Sequence, residues 1–432
     1  MKRLIASLLA GGICVAALGG CSGQSSSTQS GAGSAGGTAK VVEINFPTSW
    51  VGVSTSAPWF KNREEAFNKE YAGKYKLDVE EIAGDQNYVN KIKVLYASNS
   101  LPDVIAAGGY NLIDMMQPKF VDLAPYLAKD SAWKAHISAE GLQVNSRGDK
   151  VYGIPIDKQV MGYFYNKDLF KKAGIDKPAN TWDEFLAQAD KLKAAGITPF
   201  SMDTADSGWV TSLMLGAMIG QNDTGETFMN HTQPQSYNTP EFISAATNIQ
   251  KLFRNYTTSD AVGGKYENAA SNFYAERTAI IANGPWMISS FYDTTMAPDG
   301  FGDKVGVAAY PGNVMYDSGK IGFNIAAKTP EKIEAAIAFV KFMTSDESQR
   351  INLEMNGSIP DSPTVTSSKV KPLVTQTIQL GKEASKKIND FQSLWYANVV
   401  DEISVQYPLL AGGSITPAQF AADLTTMAAK NK

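Results

Sequence analysis

From Lys40 onward the apolar positions switch repeatedly between a period of two and a helical period. In KVVEINFPTSW (40–50) apolar and polar residues alternate, which predicts a first or edge strand. APWFKNREEAFNKEYAGKY (57–75) carries helical spacing and closes near Gly73. KLDVEEIA (76–83) predicts a second strand, YVNKIKVLYASN (88–99) a second helix, and PDVIAAGG (102–109) a third strand. Strand, helix, strand, helix, strand is the order of an open parallel α/β sheet.

The pattern resumes further along. Thr181-Trp182-Asp183-Glu184 forms a capping box, Phe185, Ala189 and Leu192 recur at helical spacing, and Gly196 ends the helix. Thr329 and Pro330 supply an N-cap and a first-turn proline for a helix burying Ile333, Ile337, Val340 and Met343. Met161 to Tyr165 alternates as a strand, so Tyr163 and Tyr165 share one face and Phe164 takes the other. No internal repeat is present.

The first forty residues follow different rules. Lys2 and Arg3 precede an apolar stretch, Leu4 to Leu18, too short and glycine-rich to span a bilayer comfortably, so residues 1–20 read as a secretory signal. Leu18-Gly19-Gly20-Cys21 resembles a bacterial lipobox, which would acylate Cys21 and make it the new N-terminus. Residues 21–39 are almost wholly Ser, Gly, Gln, Ala and Thr, a flexible tether with a reach on the order of 20–25 Å. Gly31-x-Gly33-x-x-Gly36 matches the dinucleotide fingerprint only formally, with no strand before it and no helix after it.

Composition narrows the function classes. The chain has two cysteines, and Cys14 leaves with the signal, so the mature chain cannot form an internal disulfide. Roughly 390 residues remain, enough for two domains with cores of their own. The net charge is −4 with acids and bases interspersed, which gives no basic patch for nucleic acid and suits a neutral ligand. His136 and His231 stand apart, without metal-ligand spacing, and read as solvated.

Several segments together resemble the solute-binding lipoproteins of carbohydrate ABC transporters, the group that includes maltose-binding protein. They are LPDVIAAGG with FVDLAPYL, then VYGIPI…YFYNKDLFKKAGIDKPANTWDEFLAQADKLKAAG, AIIANGPWMISSF, GKIGFNIAAKTPEKIEAAIAFVKFMTSDESQ and ITPAQFAADL. The resemblance covers nearly all of the mature chain in order. It implies an α/β, two-lobed periplasmic-binding-protein-like fold with a ligand cleft between lobes joined by hinge crossings. On this projection the first lobe takes 40–152 plus 311–350 and the second 153–310 plus 351–432. Tyr152-Gly153-Ile154-Pro155 becomes the first crossing, where Pro155 stiffens the path and Gly153 permits the bend.

A sugar offers an apolar C–H face to flat aromatics and a rim of hydroxyls to Asp, Asn or Glu. At the strand ends that would face the cleft, Trp50, Asp85 and Tyr110 are candidates in the first lobe. Each has a plainer alternative in packing or turn capping. In the second lobe the candidates are Asp157, Tyr163, Asp206, Trp209, Trp286 and Trp395. Trp286, in NGPW, matches the family position that stacks on sugar. Asp203, Tyr396, Phe323 and Asn324 are weaker choices, Trp59 fits a core equally well, and Trp133 and Trp182 read as helix packing.

The resemblance implies no cofactor, no metal and no catalysis. It implies membrane permease subunits as partners, a lipid anchor at the outer face of the cell membrane of a Gram-positive bacterium, and a monomer. ATP hydrolysis would belong to other subunits, because no Gly-rich Lys-Ser/Thr phosphate loop is present. A receptor for a polyamine or peptide, and a secreted glycoside hydrolase with two cleft carboxylates, remain the rivals. The aromatics scattered over both lobes favour a di- or oligosaccharide over a monosaccharide.

Overall fold

A computed structural model describes residues 40–52, 54–106, 108 and 110–431. The signal, Cys21, the tether and the glycine fingerprint lie outside the described residues.

In the first lobe the strand Val42–Thr48 pairs in parallel with Tyr75–Glu81, from Val42 opposite Tyr75 to Thr48 opposite Glu81. Alternation fixes the faces: Ile44, Phe46 and Leu77 are buried, whereas Glu43, Asn45, Lys76 and Asp78 are exposed. Phe46 lies 5.1 Å from Phe339, 5.6 Å from Phe60 and 6.1 Å from Phe323, so the intervening helix Ala57–Glu70 and the later helix Pro330–Met343 pack onto this sheet. The single parallel sheet predicted from sequence does not form: the third strand is hydrogen-bonded in a separate two-stranded sheet. Val104–Ala106 pairs antiparallel with Phe323–Ile325, and the Asp103 carboxylate accepts the Asn45 N–H at 2.9 Å and the Lys332 ammonium at 2.7 Å.

The second lobe is built on Gln159–Asn166, which pairs antiparallel with Thr278–Asn283, Val305–Ala308 and Val314–Ser318. Thr198–Phe200 and Lys386–Ile388 extend the sheet at its two ends. Both faces of this central strand are covered, which corrects the placement of Tyr163 in the cleft. Its ring is fully buried, 5.5 Å from Phe185 and 5.7 Å from Tyr310, under the helix Trp182–Ala194. Phe164 occupies the opposite face at 5.0 Å from Phe291. Trp395 is corrected likewise: it is 2% exposed, 4.9 Å from Tyr237 and 5.7 Å from Phe228, because its short helix tucks against the helix Pro240–Asn255 and its neighbours.

The capping box at Thr181 forms with a shift. Thr181 Oγ1 accepts the Glu184 N–H at 3.2 Å, while the Glu184 carboxylate accepts the N–H of Asn180, one residue before the cap, at 2.8 Å.

Three segments run side by side between the two cores. Ile154 and Phe323 exchange backbone hydrogen bonds at 3.1 and 2.9 Å, and Lys158 N–H donates to Ile359 at 2.9 Å. Asp157 stands opposite Pro360. The chain therefore crosses near 152–158, 319–323 and 357–361. The expected boundary at 311 moves, because Val314–Ser318 is a strand of the second sheet, with Tyr316 opposite Met161. The expected boundary at 350 falls inside the helix Asp346–Asn356, and the crossing follows Gly357. Gly153 is required by close approach: a Cβ there would lie 2.2 Å from Asn145 Oδ1.

Candidate ligand-binding site

Local backbone constraints set the two tryptophans of the second lobe. Gly208 is left-handed and caps the helix Trp209–Ile219, and a Cβ on it would lie 2.5 Å from the Tyr407 ring. The helix start is thereby fixed, and Trp209 Nε1–H donates to Asn283 Oδ1 at 3.2 Å. Asn283 ends its strand and donates in turn to the Tyr266 hydroxyl at 2.9 Å. Trp286 folds back over Gly284, where a Cβ would lie 2.3 Å from the indole. The Trp209 and Trp286 rings stand 6.2 Å apart at 44°, and both are partly exposed.

One charged side chain of the crossing segments, Lys320, approaches this pair. Lys320 Nζ lies 5.8 Å from the Trp286 ring centroid and 3.0 and 3.2 Å from the two oxygens of the Asp157 carboxylate. Asp390 is fully buried, accepts Gln159 Nε2–H at 3.4 Å and the Gln392 N–H at 3.3 Å, and is pushed up to about 7 by burial, with Lys320 opposing the shift. Asp361 is pushed up to about 6, again by burial, although Ser138 N–H and Oγ–H donate to it at 2.8 and 2.7 Å.

The first lobe contributes a second group. Trp50 is partly exposed, 5.4 Å from Trp59 and 5.9 Å from Phe323. The neighbouring Ser49 Oγ–H donates to Asp85 Oδ1 at 2.6 Å, and Asp85 opens the helix Asp85–Ala97, where a negative charge suits the helix dipole. Tyr110 packs against hydrophobic clusters of both lobes. Its hydroxyl, driven well above its usual pKa by burial and by the charge of Asp85, is engaged by Ser207 of the second lobe. Ser207 lies two residues before Trp209, so Tyr110 meets the second lobe at the start of the helix that carries Trp209.

The lobes are also joined directly. Asn111 N–H donates to Gln392 O at 3.0 Å, Gln233 Nε2–H to Asp114 Oδ2 at 2.7 Å, and Lys93 pairs with Asp401 at 2.7 Å. A cavity of about 10 Å³, the size of one water, lies among Lys93, Tyr110, Asn111, Gln392 and Asp401.

Of the residues singled out from sequence, Asp157, Trp209 and Trp286 are thus brought together. Trp50, Asp85 and Tyr110 lie on the facing lobe, with Tyr110 reaching across. Asp206, three residues before Trp209, is exposed and left-handed, with its carboxylate 3.4 Å from Lys265. Tyr163, Trp395 and Trp59 are core. Asp203 is buried and pushed up to about 7 by that burial. It accepts the Thr211 N–H at 3.2 Å inside the second lobe. Sequence reasoning missed Lys320, Asp390 and Asn283. Asn283 and Lys320 stood within the family-like blocks, but no spacing rule connects either with Trp209 or Asp157.

Among the described residues no group of three or more His, Cys, Asp or Glu could hold a metal ion, and no helix is long and apolar enough to cross a membrane. His136, read as solvated, has Nδ1 at 2.7 Å from Asp346.

The sequence profile of the bacterial extracellular solute-binding protein family matches residues 53–350. A multiple sugar-binding protein of Streptococcus mutans is 26% identical over 304 residues, which are 67% of this chain and 69% of that protein. A binding protein of Brucella abortus is 24% identical over 257 residues, 59% of this chain and only 60% of that one. Among solved structures, a chitin oligosaccharide binding protein superposes with a TM-score of 0.81 at 20% identity, covering 90% of this chain and 98% of the other. That likeness establishes the two-lobed fold.

Proposed function

The chain belongs to the bacterial extracellular solute-binding protein family, and we propose that it captures a di- or oligosaccharide between its lobes for an ABC importer. The observation that carries this reading is the Trp209–Trp286 pair, 6.2 Å apart and partly exposed, beside the Asp157–Lys320 pair. Flat rings take the C–H faces of sugar rings, and charged donors and acceptors take the hydroxyls. On this reading Trp50, Asp85 and Tyr110 form the facing wall of the cleft. The relatives named as sugar- and oligosaccharide-binding proteins support the same class.

The mechanism is a shift in population. Ligand contacts from both lobes favour the closed form over the open one, and the closed form is what the permease would read. The lobes close around three crossing segments whose backbones are already hydrogen-bonded to one another. Closure then requires rotation about these segments without loss of either core. On this reading the chain performs no chemistry, acts as a monomer, and is held by a lipid on Cys21 at the outer face of the cell membrane.

Calorimetric titration of the purified protein with a panel of neutral oligosaccharides tests the proposal. Dissociation constants well below about 1 mM, roughly −4 kcal/mol, are expected for at least one sugar. Binding of polyamines or peptides with no sugar bound, or hydrolysis of a bound oligosaccharide, would overturn it.

A further inference from the structure

Resting on the carbohydrate reading, we propose that Lys320 is a specificity-determining residue carried on the hinge. With Asp157 it reads neighbouring ring hydroxyls of the sugar that lies on Trp286, Lys320 donating and Asp157 accepting.

The base of Lys320 is fixed by the crossing itself. A Cβ on Gly319 would lie 2.5 Å from Glu140 O, and one on Gly322 would lie 2.0 Å from Ile154 O, so close backbone packing brackets the residue. Asn145 Nδ2–H donates to Lys320 O at 2.8 Å. The head is fixed as firmly, with both Asp157 oxygens within 3.2 Å and the Trp286 ring at 5.8 Å. The lysine side chain keeps 18% of its surface exposed, so a ligand on Trp286 can reach it. An ammonium has three N–H groups, and one carboxylate and a ring face do not use all of them.

Neighbouring polar atoms point the same way. Ser318 stands opposite Gln159 in the sheet, and Lys320 and Asp157 are each two residues further outward on those same two segments. Residues two apart along extended chain face the same side, so the four side chains form two successive rungs of one surface. Among the described residues Ser318 Oγ and Gln159 Oε1 have no hydrogen-bond partner, but both are sealed from solvent. The rung that a ligand can meet is therefore the outer one, Lys320 and Asp157.

Charge decides which polar atoms. Asp157 neutralises Lys320, and the buried Asp390 carboxyl stands close enough for the two charges to interact. A carboxylate-bearing sugar would meet an environment with no net positive charge, whereas a neutral pair of hydroxyls can accept from Lys320 and donate to Asp157. The geometry therefore selects a neutral, hydroxyl-rich ring over a uronate.

The test is calorimetry on wild type, Lys320→Met and Lys320→Arg. The probes are maltose, raffinose and a chitin disaccharide, followed by monodeoxy derivatives of whichever binds most tightly to wild type. Lys320→Met is expected to weaken the parent sugar roughly 10- to 100-fold, the loss of a hydrogen bond to a charged group. One monodeoxy form should cost wild type a similar factor and cost Lys320→Met nothing further, with Lys320→Arg partly restoring the discrimination. The inference is overturned if Lys320→Met discriminates among the monodeoxy forms as wild type does, or weakens all of them and the parent equally. Should Lys320→Met fold poorly by thermal melting, the same cycle on Lys320→Gln, which removes the charge, decides: an unchanged deoxy pattern overturns the inference, and an altered one supports it. Wild type binding none of the three probes would count against the carbohydrate reading itself, and this inference would fall with it.

Discussion

Lys93 and Asp401 meet at 2.7 Å although 308 residues separate them, one on the helix Asp85–Ala97 of the first lobe and the other on the helix Ala397–Gly412 of the second. The pair exists only while the lobes are together, so its free energy adds to that of closure. Both side chains remain partly exposed, which limits the contribution to about 1 kcal/mol or less.

Lys93→Met should therefore weaken sugar binding about two- to fivefold with little change in thermal stability of the lobes. Raising ionic strength from about 0.01 M to 0.3 M should weaken wild type more than the variant, since the lost term is the screened one. Titrations at the two ionic strengths check this, and equal salt dependence in the two proteins would exclude a role for the pair in closure.

Trp286 and Trp395 make a contrast that separates binding from folding. Trp286→Ala removes a partly exposed ring and should cost roughly 10- to 100-fold in sugar affinity while the melting temperature stays within a few degrees. Trp395→Ala removes a ring packed against Tyr237 and Phe228 and should cost about 3–5 kcal/mol of stability. Calorimetry and chemical denaturation on both variants give the two readouts.

Tyr163 is fully buried, and its hydroxyl has no hydrogen-bond partner among the described residues. Tyr163→Phe should leave stability within about 1 kcal/mol of wild type, or raise it, because no hydrogen bond is lost. Sugar affinity should be unchanged. A large affinity loss in titration would return Tyr163 to the cleft.

Asp203 gives a pH signature. Burial raises its folded pKa to about 7, above the value of about 4 expected in the unfolded chain. A raised folded pKa means that the protonated carboxyl is the form tolerated in the core. Its contribution is fully present below about pH 4 and is lost as pH rises through about 7. Asp203→Asn keeps an acceptor for the Thr211 N–H and cannot ionise, so wild type should lose stability relative to the variant between about pH 4 and 8, by on the order of 4 kcal/mol. Denaturation curves across that range measure the difference, and parallel curves would place the shift elsewhere.

What is local follows from residue order. Alternation set which faces of Val42–Thr48 and Tyr75–Glu81 are buried, because the side-chain period of a strand is fixed by its backbone. The helix starts at Thr181 and Thr329 were legible because a cap is satisfied within four residues of itself. The parity of Tyr163 and Phe164 was legible too, but not which side each face meets. That depended on the helix Trp182–Ala194 covering one face and Phe291 the other. Trp395 went the same way, since an aromatic that stacks on sugar and one that packs a core have the same chemistry and differ only in what lies above the ring. Lys320 and Asp157 are 163 residues apart, and Asn111 and Gln392 still further, so no periodicity could join them. Three crossing segments laid side by side in the folded chain bring the lysine of one to the aspartate of another and set its ammonium near Trp286.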